Sequence, residues 1–200
     1  YIIDGSITVN AEKISINLDF INANDLSVVW NDSIQAKPER VFDSKGDIAS
    51  KVAKSLNIKI GSKTTDTINS RHTENVDAFK LYTQGRALWM TRQQAGMKQS
   101  IKLYKQATEL DGNFALAYTG IADAYSMLAV YGFMNSNEAY PKARKYVLDA
   151  ITRNASLPEA YISLGWIQFA YEWKLKDSEA SYRKAIELNP KIAQAHQWLG

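Results

Sequence analysis

The stretch Lys105-Gln-Ala-Thr-Glu-Leu-Asp-Gly112, followed by Ala115-Leu-Ala-Tyr118, returns as Lys184-Ala-Ile-Glu-Leu-Asn-Pro190 followed by Ala193-Gln-Ala-His196. Pro158-Glu-Ala-Tyr161 is a third copy of the opening. Tyr118, Tyr161 and His196 therefore hold one equivalent position. Ile121-Ala122, Leu164-Gly165 and Leu199-Gly200 follow it three and four residues on. From about Asn75 the apolar residues keep the 3.6-residue period of helices. A unit that ends one helix, turns and opens the next, and does so repeatedly in register, predicts a stack of helix pairs.

That spacing resembles the tetratricopeptide repeat, a helix–turn–helix unit of about 34 residues. Its small residue in the first helix, where the second helix packs close, matches Gly85, Ala122, Gly165 and Gly200. Its second-helix signature matches Tyr104-x-x-Ala107, Val147-x-x-Ala150 and Tyr182-x-x-Ala185. The terminal proline is kept at Pro190 but replaced by Gly112 and Ala155 in the other two copies. The repeats run at about 75–112, 113–155 and 156–190, with a truncated fourth from 191. Extra residues Tyr131–Asn137 are expected between the helices of the second.

Working back towards Tyr1, the period changes. Ile14, Ile16, Leu18 and Phe20 alternate with polar residues, the mark of a half-buried strand. Tyr1–Ile3 and Ile7–Val9 read as short strands broken at Asp4-Gly5, Asn10–Lys13 and Asn22–Asp25 as hairpin loops, and Val28–Ile34 as the next strand. Ile48, Val52 and Leu56, flanked by Ala49 and Ala53, give a helix with one face for the sheet. Leu56, Ile58 and Ile60 alternate again and predict a final short strand. The fold class expected is α+β, with a small antiparallel sheet and helix over 1–60, a polar linker over 61–74, and an all-α repeat solenoid over 75–200.

Tyr1-Ile-Ile-Asp-Gly-Ser-Ile7, the strand leading to Val29-Trp30, and Val41-Phe42 ahead of the Ile48 helix resemble the end of a TolB-like amino-terminal domain. The likeness continues through Gly85-Arg86, the Glu109-Leu-Asp111 junction, the extended second repeat and the Trp173 loop. It implies a sensory or scaffolding part of a longer signalling protein. Such parts stand behind winged-helix DNA-binding domains in CadC- and HilA-type activators, and behind class III adenylate cyclase domains. A transcriptional regulator ranks slightly first, but no residue here chooses between the effectors. The abrupt opening on a strand and the stop inside a helical pattern read as a piece of a longer bacterial protein.

Bulk numbers narrow the classes. With 46% hydrophobic and 22% charged residues the composition is that of an ordinary globular chain. The 9 Lys/Arg and 10 Asp/Glu of residues 1–75, against 15 and 11 over 76–200, leave too small and too mixed a surplus for nucleic-acid binding. No apolar run predicts a membrane span. Zero cysteines exclude disulfides and thiolate chemistry. The expected location is the cytoplasm, or the periplasm if a transmembrane helix lies upstream.

A search for catalysis returns little. His72 and His196 have no carboxylate or histidine at metal-ligand spacing, so neither a metal nor another cofactor is expected. Glu109/Asp111 and Asp177/Glu179 fall at helix ends, where capping accounts for them. The expectation is a non-catalytic binding module, with a purely structural oligomerisation domain as the alternative. In a stack of helix pairs the first helices share one face, here Tyr82, Arg86, Trp89 and Met90, then Thr119, Asp123 and Met127, then Ile162, Trp166 and Phe169. Tryptophan, tyrosine, methionine and arginine are enriched in binding hot spots, although the same stripe would also serve as core. Versions of this repeat that bind chaperone tails clamp a carboxylate with lysines and asparagines at the positions held here by Tyr82, Arg86, Thr119, Asp123, Ile162 and Trp166. That clamp is missing, so the expected partner is a partly apolar peptide or protein, or a small-molecule signal. The open end formed by Ile192, Ala195, Trp198 and Leu199 suggests pairing with a second copy.

Overall fold

A computed structural model describes residues 1–9, 13–36, 44–59, 61 and 72–199. The chain divides into two compact units, Tyr1–Glu74 and Asn75–Gly200.

The first unit holds a three-stranded antiparallel meander, β1 (Ile2–Val9), β2 (Ile14–Ile21) and β3 (Val28–Ala36), in the order β1-β2-β3. Alternation along β2 places Ile16 and Phe20 on the buried face. Phe20 lies between two stacked rings, Tyr1 at 4.9 Å and Trp30 at 5.4 Å. Helix α1 (Ser44–Ser55) is tied to β3. Trp30 Nε1 donates to Ser55 Oγ at 2.6 Å, and Lys51 pairs with Asp32 and lies over the Trp30 ring.

Two expectations for this unit fail, each for a local reason. Asp4-Gly5 does not break the first strand, because Gly5 pairs with Leu18 inside a continuous β1. A Cβ at Gly5 would lie 2.2 Å from the Asn17 carbonyl oxygen, so the glycine allows a close backbone approach within the sheet. Leu56 and Ile58 do not open the expected strand. The chain turns after α1 with Asn57 at φ 54°, Asn57 N–H donating to Lys54 O at 3.1 Å and Ile58 N–H to Ala53 O at 2.8 Å. This double closure is the Schellman ending of a helix, with asparagine in the left-handed position. Ile60, Val41-Phe42, the loop at 10–12 and most of the expected linker lie outside the described residues.

The second unit is a tetratricopeptide-type solenoid. Helices α2 (Val76–Met90) and α3 (Gln94–Leu110) form its first pair. The second is α4 (Ala115–Val130) with α5 (Ser136–Arg153), and the third is α6 (Pro158–Ala170) with α7 (Leu175–Leu188). Helix α8 (Ala193–Leu199) opens a fourth. Size compensation holds each pair. A Cβ on Gly85 would come 2.6 Å from the ring of buried Tyr104, and one on Gly165 equally close to Tyr182. In the second pair alanine replaces glycine at Ala122, and its partner shrinks to Val147 within the same core cluster. Tyr104 is also covered by Gly120 of the next repeat, whose added Cβ would sit 3.0 Å from the ring.

The junctions between repeats are closed by an Asx turn, not by the irregularly kept proline. Asp111, Asn154 and Asn189 accept from the backbone N–H two residues on, at 2.9, 2.9 and 3.1 Å. Phe114 and Leu157, which follow two of these turns, are buried plugs at the next helix start. The extension of repeat two is shared between loop and helix. Residues 131–135 join α4 to α5 with Gly132 at φ 69°, while Ser136 and Asn137 belong to the first turn of α5 beneath the Asn135 cap.

Candidate functional site

The first helices of the repeats line a cleft of about 370 Å³. Tyr82, Arg86 and Trp89 project into it from α2, Thr119, Asp123 and Met127 from α4, and Ile162 and Trp166 from α6. Their spacing of three and four residues keeps each set on one stripe of its helix. Eight of the ten residues expected on this face thus come together. Met90 and Phe169 do not line the cleft and are 64% and 48% exposed. Met90 is one position beyond Trp89, about a quarter-turn round the helix. Phe169 lies beside Trp166, with ring centroids 6.2 Å apart.

Three further residues complete the chemistry of the lining. Arg92, with φ 58°, sits in the turn after α2 and places its guanidinium 3.9 Å from the Trp89 ring centroid. Arg86 lies over the same ring at 4.7 Å. Glu159 enters from the first turn of α6, and Trp198 from α8. Trp198 makes an edge contact with Trp166, with centroids 4.5 Å apart, so α8 covers part of the third repeat's aromatic face. The helical period alone pointed to the stripe. It gave no sign of Arg92, which lies in an inter-helix turn, or of Glu159, in the first turn of α6.

The charges of the cleft are poised rather than neutralised. Ser163 Oγ donates to Asp123 Oδ1 at 2.5 Å, a bridge from α6 to α4. Desolvation pushes the Asp123 carboxyl up to about 6, assisted by Glu159 and opposed by the Ser163 hydrogen bond and by Arg86 and Arg92. Burial also pushes the Tyr82 hydroxyl up to about 12, against the pull of Arg86. Glu159 Oε2 and Trp89 Nε1 are buried without a hydrogen-bond partner. No group of histidine, cysteine, aspartate and glutamate among the described residues is arranged to hold a metal. Exposed His196 is engaged with the Pro190 carbonyl at 2.9 Å. No helix among the described residues is long and apolar enough to cross a membrane.

Solved structures share the helical fold. The first tetratricopeptide domain of Spaghetti (RPAP3), described as bound to the HSP90 peptide SRMEEVD, superposes with a TM-score of 0.51 at 23% identity, covering 65% of this chain and 93% of that one. The Arabidopsis OM64 tetratricopeptide domain gives 0.50 at 19% identity, covering 60% and 89%. The Sgt2 domain of Aspergillus fumigatus gives 0.50 at 22%, covering 61% and 74%. In sequence the chain is 23% identical over 187 residues to the Rhizobium meliloti (strain 1021) protein named "Putative adenylate cyclase 3". The match covers 91% of this chain but only 31% of that relative's length. No family model matches the chain.

Proposed function

We propose that the chain is a non-catalytic peptide- or protein-binding module of a larger signalling protein, with the cleft of α2, α4, α6 and α8 as its recognition surface. The observation that carries this reading is the stack of Arg86 and Arg92 on Trp89 in a cleft where Trp89 Nε1 and Glu159 Oε2 are buried without partners. Groups left in this state cost stability unless something binds them, which is the usual signature of a recognition site. The peptide-bound tetratricopeptide neighbour supports a peptide as occupant. On this reading the module carries signals and does not transform a substrate.

The Rhizobium relative favours a cyclase as the effector over the winged-helix regulator that ranked slightly first from sequence. In that arrangement the TolB-like unit and the solenoid form the regulatory region, on the cytoplasmic side with the nucleotide pool. The reading is tested by selecting random displayed peptides on the purified chain and titrating the survivors by tryptophan fluorescence. Binding is expected to fall at least tenfold in Trp89→Ala, with circular dichroism unchanged. Selected peptides that bind Trp89→Ala as tightly as the wild type would place recognition elsewhere.

A further inference from the structure

The cleft carries two cations and two carboxylates that make no ion pair with one another. Among the described residues the arginine ion pairs are made by Arg144, Arg153 and Arg183, not by Arg86 or Arg92. Asp123 is held by the Ser163 hydroxyl, and Glu159 keeps one oxygen buried and unpartnered. The positive pole lies on α2 and the turn after it, and the negative pole on α4 and α6. The same lining carries the apolar or aromatic side chains of Met127, Ile162 and Trp166.

These facts discriminate among ligand classes. A phosphate group would meet the arginines well, but its double charge would then stand in the field of Asp123 and Glu159. A peptide rich only in acids would leave the Glu159 oxygen unsatisfied, and one rich only in bases would leave both guanidiniums without an anion. A net-neutral lining with separated poles is best matched by a net-neutral ligand with the poles reversed. Resting on the peptide-binding reading above, we propose that the cleft recognises a peptide segment carrying one acidic and one basic side chain. The acidic group sits on Arg86 and Arg92, the basic group on Glu159, and an apolar residue between them packs on Ile162 and Trp166. The backbone or the acid of such a segment also offers an acceptor to Trp89 Nε1, and its lysine or arginine offers a donor to Glu159 Oε2. These two buried orphans of the lining are thereby paired.

The experiment is fluorescence anisotropy with a panel of blocked, fluorescein-labelled peptides of one apolar composition. Members carry one glutamate and one lysine at several separations in either order, with two-glutamate, two-lysine and phosphoserine peptides as controls. At least one mixed peptide is expected to bind about tenfold tighter than every control. Glu159→Gln is expected to abolish that preference by weakening the mixed peptide, while the two-glutamate peptide binds as tightly as before or tighter. Arg86→Gln is expected to weaken the mixed and two-glutamate peptides together. Tighter binding of a phosphoserine or two-glutamate peptide, or indifference of the mixed peptide to Glu159→Gln, would overturn the inference. If the whole panel fails while displayed peptides still give a Trp89-dependent binder, the charge assignment falls and the peptide-binding reading stands. If displayed peptides also fail, both fall.

Discussion

Replacing Asp123 with asparagine tests whether the cleft burdens the solenoid with a carboxylate it would shed. The amide keeps the shape of the protonated acid, and its oxygen can still accept from Ser163 Oγ, which lies 2.5 Å from the native carboxylate. What the substitution removes is the charge. Folding raises the Asp123 carboxyl from 3.8 to about 6, with desolvation as the leading cause. At about 1.36 kcal/mol per tenfold change in proton affinity, the ionised group costs the folded state on the order of 3 kcal/mol. The cleft is open to water, which lowers the expected figure to roughly 1–3 kcal/mol. The sign follows from the direction of the shift. A carboxyl whose folded value lies above its unfolded one contributes fully to stability below about pH 4, and that contribution is lost as pH rises through about 6. Wild type and Asp123→Asn should therefore unfold in urea at nearly the same concentration at pH 4. At pH 8 the variant should be more stable by roughly 1–3 kcal/mol, and carboxylates remote from Asp123 cancel in the difference. An offset that stays constant from pH 4 to pH 8, or a variant that loses ground as pH rises, would refute the reasoning. Carbon-detected titration gives a second check, since Ser163→Ala removes an opposing hydrogen bond and should raise the Asp123 midpoint further.

Gly165→Ala forces a Cβ to 2.6 Å from the Tyr182 ring and should cost about 1–3 kcal/mol in thermal or urea unfolding. Adding Tyr182→Val rebuilds the Ala122/Val147 pairing of the second repeat, so the double variant should lose less than the sum of the two single changes. Asn57→Ala should destabilise the amino-terminal unit by about 1 kcal/mol, because its φ of 54° disfavours a Cβ without a compensating local hydrogen bond. Asn57→Gly should be neutral or slightly stabilising in the same melt, and equal effects of the two substitutions would remove the helix-ending role assigned to this residue.

What could be read from the chain followed from how local each signal is. The helix pairs were legible because Leu-Asp-Gly112 and Leu-Asn-Pro190 mark the same event, a helix ending in an Asx turn, and the turn needs only neighbouring residues. The sheet was legible along β2, where alternation reports burial directly, and misread at Gly5 and Ile58. A glycine signals a turn and a close approach with the same letter, and only the β2 carbonyl opposite Gly5 decides between them. Ile58 keeps the alternation of a strand but sits 57% exposed just past a helix end, because Asn57 had already turned the chain. In the cleft the stripe from Tyr82 to Trp166 could be drawn from periodicity. Arg92 could not, because its position depends on a left-handed turn that has no period.

The same size rule that closes the helix pairs also explains why charge ends up trapped in the cleft. Glycine at positions 85 and 165 lets a tyrosine of the second helix press against the backbone of the first, and Gly120 brings the next repeat onto the same Tyr104 ring. Close approach along that line draws the inner faces of α2, α4 and α6 together, near enough for Ser163 to reach Asp123 across the repeat boundary and for Glu159 and Arg86 to act on the same carboxyl. A looser solenoid would leave these side chains in water, where an aspartate keeps its ordinary affinity for protons and a guanidinium gains little from a ring. Packing small residues against tyrosine therefore turns a row of unremarkable surface positions into a partly desolvated site. On this argument Gly120→Ala, at a position that lines the cleft but carries no side chain of its own, should widen the cleft and lower the Asp123 midpoint towards 4. A midpoint that stays near 6 in that variant would show that the desolvation of Asp123 is set within α4 and α6 alone.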